Sequence, residues 1–584
     1  MPNIPTAPIA YRIEARNVHA HLLDVTLTIA KPQVPQNVLL PVWIPGSYLV
    51  REFSKNLQHL TAQQGRTRLT VKQLDKCNWQ IDCTPGKPLV LRYQIYAHDN
   101  SVRTAWLDAE RGFFNGTSVC LRVEGHALST HLLEVIESAN TRGWAVATGL
   151  KAEKVNKQGF GIYGAVSYDE LVDCPVELGK FWSGTFIACG VPHRFVVTGA
   201  LPGFDGSRLL ADTKKICEEE IRFWHGNKKP PFEQYLFMLN AVDDGYGGLE
   251  HRNSTALICN RKDLPRVGEP KVSEGYTTLR GLISHEYFHT WNVKRLRPAE
   301  FETYDYTQEN YTELLWFFEG FTSYYDDLLL RRAGLLDNAG YLKLLNKTIN
   351  QVTQTPGTRV QSVAEASFDA WVKYYRQDEN TPNATVSYYT KGALVALCFD
   401  LTLRTEGHTT LDDVMRALWL RCKTGPMREA DFAALLQTLG GRSFDAELKS
   451  WVHGTGELPL RALLEQHGVN VHDDPAQLAQ RLGLRVSETH GLVVKTVLSG
   501  STAQKAGFAA GDEWLGVETV KPTSGWRMLR LDDLLLYAGM ARKIIALVSR
   551  DKRFVRLELT IPPPSTSWRL AIKDAAKVDA WLAN

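Results

Sequence analysis

Two histidines and a glutamate stand close together in HEYFH, residues 285–289. On an α-helix, residues four positions apart lie on the same face, so the imidazoles of His285 and His289 can bind one metal ion. Glu286 points away from the line between them, yet it can reach a water molecule at an open coordination position and act as a general base. The alternative is a pair of core histidines on a structural helix. Burying these three polar groups without a partner costs free energy, which favours the metal site.

A catalytic zinc ion needs a third protein ligand and one position left open for water. Glu319 lies in LLWFFEGFTSYYDDLLL, where a carboxylate is expensive to bury unless it is paired or bound to metal. Glu313 is preceded by polar residues and is expected to face water. We therefore predict that His285, His289 and Glu319 hold one Zn²⁺ per chain. An internal ion pair between Glu319 and a nearby arginine is the alternative.

The rest of the chain must provide the scaffold that positions these residues. Its 584 residues exceed one ordinary domain, and 44% hydrophobic with 22% charged residues is a globular composition. The net charge of +3 predicts neither nucleic acid nor a membrane as partner. The nine cysteines are scattered and form no C-x-x-C pair, which indicates a reducing compartment. Without a signal peptide or an apolar run of ~18 residues, we predict a cytoplasmic protein.

The periodicity of apolar residues changes along the chain. Leu23, Val25 and Leu27 alternate with more polar neighbours, which predicts strands, whereas Leu342 and Leu345 begin a helical stripe. Short strand-like runs return near residue 465. We predict a multidomain α+β protein with an N-terminal antiparallel β domain (1–190), a zinc catalytic domain (191–335), a helical domain (336–465), a small strand-rich domain (468–562) and a C-terminal tail with a short helix (563–584).

Five segments resemble the glycyl aminopeptidase family of zinc metallopeptidases, which is distantly similar to aminopeptidase N. HEYFHTWNVKRLRP is far more specific than HExxH alone. The resemblance covers essentially the whole chain and implies a thermolysin-like catalytic domain and a PDZ-like C-terminal domain. The matching segments are PVWIPGSYLVREF (41–53), GGLEHRNS (247–254), HEYFHTWNVKRLRP (285–298), WFFEGFTSYYDDLLL (316–330) and YTKGALVALCFDL (389–401).

The resemblance also implies roles for individual residues. The segment EGF at Glu319 is similar to the third-ligand helix of these enzymes. The longer spacing from His289 than in aminopeptidase N is typical of the glycyl aminopeptidase branch. Tyr389-Thr-Lys-Gly resembles the Tyr-Glu-Lys-Gly segment of aminopeptidase N, whose tyrosine hydroxyl faces the developing oxyanion, a role that the chemistry requires. Tyr388 is the rival for that role.

GGLEHRNS resembles the Gly-x-Met-Glu-Asn strand that binds the free amine of the substrate in aminopeptidase N. The resemblance implies that Glu250 binds this amine. Leu249 and His251 depart from the pattern, and an edge-strand glutamate without that role is the alternative. We also predict that Gly247 and Gly248 bind the substrate backbone, as an added strand does.

Residues 482–517 are similar to a PDZ domain of the bacterial protease type. The resemblance implies that Leu482, Gly483 and Leu484 form the loop whose amides hold a peptide or protein C-terminus. A PDZ fold used only for packing or dimer contact is the alternative.

Together these features predict a zinc aminopeptidase that releases N-terminal residues from peptides with a free N-terminus. The resemblance suggests Gly or Ala as the released residue. Two alternatives stay open: an endopeptidase that recruits substrates through its PDZ-like domain, and a non-catalytic peptide-binding protein. Lys294, Arg295 and Arg297 follow the metal helix and either hold a substrate carboxylate or stabilise the C-terminal end of the helix.

Overall fold

The computed structural model describes residues 7–423, 425–519 and 525–583. Residues 1–6, 424, 520–524 and 584, which belong to the predicted first domain, helical domain, strand-rich domain and tail, lie outside the described residues. The chain divides into two compact units, described separately below. The first comprises Met1–Tyr311, Ala333–Leu335 and Trp419–Met427, and the second comprises Thr312–Arg332, Leu336–Leu418 and Arg428–Asn584. None of the described helices is long and apolar enough to cross a membrane.

The first unit begins with a β domain whose strands follow the apolar alternation. In the first strand, Ile9, Tyr11 and Ile13 are buried while their neighbours are more exposed, so one face of the sheet covers the core. The elements are β1 (Ile9–Asn17), β2 (Leu22–Ile29), β3 (Gln36–Leu39), β4 (Leu57–Gln64), β5 (Thr67–Leu69), β6 (Val71–Gln73), β7 (Asn78–Ile81), β8 (Leu89–Tyr96), β9 (Ala105–Leu107), β10 (Arg111–Phe114), α1 (Gly116–Val119), β11 (Arg122–Val123), β12 (His131–Ile136), β13 (Ala145–Thr148), β14 (Lys151–Val155), β15 (Gly161–Ala165), α2 (Tyr168–Val172) and β16 (Val176–Gly179).

These strands form three sheets. The largest has eight strands in the order β14-β15-β12-β1-β2-β8-β4-β5, and two sheets of four have the orders β13-β16-β10-β9 and β11-β3-β7-β6. The neighbours are antiparallel with one exception, since β1 and β12 are parallel. The prediction of an N-terminal β domain is confirmed, but the purely antiparallel pairing was wrong at β1–β12. A long connection separates these two strands, and alternation alone does not reveal strand direction.

The first unit continues with a five-stranded sheet that carries the HEYFH helix. Its order is β17-β18-β19-β21-β20, with β18, β19 and β21 parallel and β17 and β20 antiparallel at the edges. β17 forms a hairpin with β18, so this sheet begins before the predicted boundary at residue 190. The elements are β17 (Trp182–Ala188), β18 (Val191–Thr198), α3 (Gly206–His225), β19 (Tyr235–Val242), β20 (Gly247–Glu250), β21 (Ser254–Asn260), α4 (Glu274–Phe288) and β22 (Arg297–Pro298).

Helices dominate after residue 311. Among them α6 and α10 cross very closely. A methyl group on Gly320 would lie only 2.6 Å from the Cα atom of Gly392, so no side chain fits at the crossing. This region confirms the predicted helical part of the fold. Its elements are α5 (Leu315–Phe318), α6 (Gly320–Arg332), α7 (Asn338–Thr353), α8 (Val363–Phe368), α9 (Thr381–Ala384), α10 (Thr390–Glu406), α11 (Leu411–Cys422), β23 (Pro426–Met427), α12 (Glu429–Gly440), α13 (Asp445–Glu447) and α14 (Leu460–Gln466).

The C-terminal part of the second unit contains two sheets. Strands β25 to β30 form one sheet around a core that includes Trp514, and β24 pairs with β31 in a separate ribbon. β24 was assigned to the 468–562 domain, but it pairs with a strand of the predicted tail. The elements are β24 (Val469–Pro475), α15 (Leu478–Leu482), β25 (Leu484–Ser487), β26 (Val493–Val497), α16 (Thr502–Ala506), β27 (Glu513–Thr519), β28 (Gly525–Arg527), α17 (Asp533–Ala538), β29 (Lys543–Arg550), β30 (Arg553–Thr560), β31 (Thr566–Ile572) and α18 (Ala575–Leu582).

Candidate active site

Helix α4 carries the two histidines of HEYFH on one face. The helix begins after Ser273, whose hydroxyl accepts a hydrogen bond from the Tyr276 amide at 3.0 Å. The Nε2 atoms of His285 and His289 are 3.1 Å apart, and the two rings are nearly perpendicular. Both imidazoles therefore direct the same nitrogen at one point.

A hydrogen bond fixes which nitrogen of His289 can bind a metal. Its Nδ1 lies 2.7 Å from the carbonyl oxygen of Asn292, so Nδ1 carries the proton and donates it. The lone pair then stays on Nε2. Two nitrogens that bind one tetrahedral zinc at ~2.05 Å lie about 3.3 Å apart, close to the separation observed here. The donor atoms thus fit a zinc ion.

The Glu286 carboxylate lies directly against the glycine-rich edge strand. Helix α4 packs on β20 and β21, and a methyl group on Gly248 would overlap the Glu286 carboxylate. Glu286 is buried, and it shares its surroundings with a second carboxylate. Ligand-type atoms of Glu250, Glu286 and His289 all lie within 4.8 Å of one another. The predicted general base and the predicted amine-binding residue are therefore neighbours.

Glu250 is a buried carboxylate with incomplete hydrogen bonding. Its side chain is 4% exposed, and no hydrogen bond to its Oε1 atom is found among the described residues. Gly46 covers it, since a methyl group at that position would overlap the carboxylate. A buried carboxylate oxygen without a donor is destabilising, so a donor such as an ammonium group suits this position.

A network of charges lies beside Glu250. The Asp173 carboxylate pairs with Lys294 Nζ at 2.7 Å and with His251 Nδ1 at 3.3 Å, and it accepts a hydrogen bond from the Arg252 amide. Burial alone would raise the pKa of Asp173, but the Lys294 ammonium holds it well below its usual range. Burial likewise opposes the charge on Lys294, yet Asp173 raises its pKa above the ordinary value.

This network decides between the two interpretations of the basic residues after α4. Lys294 pairs with Asp173, while Arg295 donates to the backbone oxygens of Arg252, Thr290 and Pro231. Arg297 donates to the Phe301 and Lys294 carbonyls. All three therefore hold the chain around the end of the helix and are not arranged to receive a substrate carboxylate.

The predicted substrate-binding glycines lie on the edge strand β20. Gly247 and Gly248 pair with β21 on one side only, so the other edge of the strand is not covered by this sheet. Arg103 donates a hydrogen bond to the Gly248 carbonyl at 3.1 Å. Sequence reasoning missed Arg103, Asp173 and Gly46. Only Gly46 lies in one of the five segments that carry the family resemblance.

Glu319 and the two tyrosines belong to the second unit. Glu319 is 2% exposed and stands between α5 and α6. Burial, and next the Glu319 carboxylate, raise the pKa of Tyr389 well above its usual value. The Tyr389 hydroxyl therefore stays protonated, near Glu319 and 3.4 Å from the Tyr375 hydroxyl. Tyr388 is fully buried against the Tyr389 ring.

The predicted carboxylate loop is the end of a helix. Leu482 ends α15, and the Gly483 amide donates to the Gln480 carbonyl at 3.1 Å. The side chains of Leu482 and Leu484 are buried in the core of the six-stranded sheet. One of the three backbone amides of residues 482–484 is thus already hydrogen-bonded, which argues against this loop as a binding site for a carboxylate.

Comparison with known proteins places this site in a family. Residues 278–395 match the model of the M61 glycyl aminopeptidase, and residues 10–180 match that of the peptidase M61 N-terminal domain. An aminopeptidase N family protein from Idiomarina loihiensis is 37% identical, with a TM-score of 0.93, and the match covers 99% of this chain and 100% of that one. These matches define a metallopeptidase. The chain belongs to the M61 glycyl aminopeptidase family of zinc peptidases.

Two more distant structures are less similar in sequence and have lower TM-scores. The M1 zinc metallopeptidase from Deinococcus radiodurans is 16% identical, with a TM-score of 0.48, and the match covers 77% of this chain and 94% of that chain. Legionella pneumophila aminopeptidase A, solved with aspartic acid, is 12% identical, with a TM-score of 0.49 and coverage of 97% and 59%. A search of curated proteins gives no match.

Replacing Asp173 tests the buried charge network. In Asp173→Asn, Lys294 stays buried without its anion, so we expect a loss of about 3–5 kcal/mol in the free energy of unfolding of this unit at pH 7. Because the folded-state pKa of Asp173 is lowered, its contribution is complete above the unfolded-state pKa of about 3.9 and is lost as the pH falls below it. Urea unfolding of both proteins at pH 7 measures the difference, which should shrink in a series that continues from pH 4 to about pH 2. The exposed control Asp243→Asn should change little, and an unchanged stability of Asp173→Asn would contradict the network.

Proposed function

We propose that the chain is a zinc aminopeptidase that releases single residues from the N-terminus of peptides. The observation that carries the proposal is the buried Glu250 carboxylate beside Glu286 and His289. A negative charge at that position attracts the α-ammonium group of a substrate. The first peptide bond then lies next to the general base, which distinguishes an aminopeptidase from an endopeptidase.

The proposed metal site consists of one Zn²⁺ held by His285, His289 and Glu319. Two imidazoles and one carboxylate are a common ligand set of catalytic zinc, and they leave a fourth position for water. When bound, zinc would lower the pKa of that water to about 7 and polarise the scissile carbonyl. The His289–Asn292 hydrogen bond supports the assignment, because it keeps the metal-binding nitrogen unprotonated.

The protein groups perform the proton transfers and position the substrate. Glu286 takes a proton from the attacking water and passes it to the departing amine, a role that requires its carboxylate to stay in place. Contact with Gly248 restrains it there. Tyr389 donates a hydrogen bond to the oxygen that becomes negative during attack, and its raised pKa keeps that proton available.

The edge strand supports the proposed substrate orientation. A peptide that pairs with Gly247 and Gly248 runs along β20 and meets Glu250 at the end of the strand. Gly46 closes over Glu250, so little room exists beyond the amine. This crowding supports release of one residue at a time. The preference for Gly or Ala rests on the family resemblance.

The finer domain assignments are also proposals. The five-stranded sheet with α4 on it supports a thermolysin-like catalytic domain. Strands β25 to β30 with α16 and α17 support a PDZ-like domain, although Leu482, Gly483 and Leu484 are less suited to hold a carboxylate than expected. Membership of a peptidase family argues against a non-catalytic peptide-binding protein. No contact among the described residues of either unit favours the endopeptidase alternative.

Two glutamate substitutions separate metal binding from catalysis. Glu286→Gln should keep one zinc per chain and reduce kcat about 10²–10⁴-fold, because it removes the base but not a ligand. Glu319→Ala should lose zinc itself. Metal analysis and hydrolysis of aminoacyl anilides give both readouts. Glu313→Ala, an exposed control, should keep metal and activity. Full zinc content in Glu319→Ala would assign the third ligand to another residue.

A substitution at Glu250 tests amine recognition. Glu250→Gln should raise KM for substrates with a free N-terminus about 10–100-fold, the size of a lost charge-assisted hydrogen bond. Cleavage of the same peptides with an acetylated N-terminus should change much less. The exposed control Glu379→Gln should behave like the wild type. Equal effects on free and acetylated peptides would remove Glu250 from the amine site.

Phenylalanine substitutions decide between the two tyrosines. Tyr389→Phe should lower kcat about 10²–10³-fold while KM and zinc content stay near the wild-type values, because only the transition state uses the hydroxyl. Tyr388→Phe removes a hydroxyl from a fully buried neighbour and is the matched control. Steady-state kinetics of both variants give the answer. The reverse pattern would assign the oxyanion donor to Tyr388.

A further inference from the structure

A cavity lies within the second unit, in a region that the proposed reaction does not use. It has a volume of about 400 Å³ and is bounded by α7, α10, β31 and the segment before α14. Cavities of this size accept small organic molecules. Its charged lining residues are Arg359, Lys391 and Glu457.

Lys391 is the unusual residue of this cavity. It is 2% exposed, and its Nζ atom makes no hydrogen bond with any described residue. Burial lowers the pKa of its ammonium group to about 8, and no nearby acid raises it again. At neutral pH the group is therefore still mostly charged, so it remains a buried cation without a counterion. An anion in the cavity would remove this cost.

The lysine side chain, not the helix end, supplies the binding capacity. Lys391 is in the first turn of α10, but the amides of Lys391, Gly392 and Ala393 already donate to the carbonyls of residues 387–389. No amide of this turn is left to hold an anion. The Lys391 ammonium group has three N–H bonds, and no acceptor for them is found among the described residues.

We infer that this cavity is a binding site for a small carboxylate, with the Lys391 ammonium group as its counterion. The site goes beyond the proposed peptidase reaction and does not depend on it. A ligand with the size of an amino acid or a dipeptide fits the volume. Ser567 offers a hydroxyl group for its polar atoms and Trp568 an aromatic ring, whereas the hydroxyls of Thr353 and Thr358 already donate to backbone carbonyls.

The charges of the lining favour a carboxylate over a phosphate. One buried ammonium group balances one negative charge, and Arg359 is exposed to solvent. Glu457 also lines the cavity and is exposed to solvent as well, and it repels a dianion more strongly than a monoanion. The carboxylate comes either from an amino acid or peptide or from a simple organic acid. These two sources share the group that Lys391 recognises.

Reductive methylation of the zinc-loaded full chain tests the site directly. Formaldehyde with a borane reductant methylates unprotonated lysine amines, and peptide mass mapping gives the rate at each position. Acetate and N-acetylglycine, whose blocked amine cannot use Glu250, should slow methylation of Lys391 at least fivefold in a saturable manner. The exposed Lys347 on α7 is the internal control and should be unaffected. Stronger protection by N-acetylglycine than by acetate would identify a peptide-like ligand, and equal protection an organic acid.

Substitutions provide the second measurement. Lys391→Met keeps the length of the side chain but removes its charge, so calorimetry should show at least a tenfold weaker affinity for N-acetylglycine than in Lys347→Met. Glu457→Gln should tighten binding. The inference fails if Lys391 is methylated at an unchanged rate with 50 mM probe, or if inorganic phosphate protects it equally well. It also fails if Glu457→Gln alone accelerates methylation, because Glu457 would then be the counterion of Lys391.

Discussion

The contact between the Glu286 carboxylate and the backbone of Gly248 determines the geometry of the catalytic sheet. Only a residue without a side chain permits the helix to approach the strand so closely. Side chains alternate along a strand, so residues 248 and 250 share one face, and that face is directed toward α4. The Glu250 carboxylate consequently lies near His289 and Glu286. The glycine-rich sequence of β20 is thus a steric requirement of the helix beside it.

The parts of the site that lie close together in the sequence could be predicted from it. The four-residue spacing of His285 and His289 specifies a shared helix face, and the two nitrogens face each other as that spacing requires. Strand alternation located the β domain, and helical periodicity located the helices after residue 335. Distant partners were not predictable. Asp173 and Arg103 come from other elements, and nothing in their local sequence indicates that they meet Lys294 and Gly248.

Sheet membership was the least predictable feature of the fold. Strands β17 and β24 each pair across a predicted boundary. Alternation shows that one face of a strand is buried, and it does not show which neighbour lies beside it. The cytoplasmic location and the release of small residues stay predictions from the sequence.

The buried charges of the protein divide into two kinds. Asp173 and Lys294 satisfy each other, so their pairing holds the structure. Glu250 and Lys391 are buried to a similar extent, but each has a polar atom without a partner among the described residues. The first is suited to a cation and the second to an anion.

The glycine crossing of α6 and α10 links two residues that are far apart in the sequence. Glu319 immediately precedes Gly320, and Tyr389 lies three positions before Gly392. With the two backbones in contact, neither helix can slide along the other without a collision. The Glu319 carboxylate and the Tyr389 phenol are therefore held at a fixed distance from each other, because a thermal displacement of one helix carries the other with it.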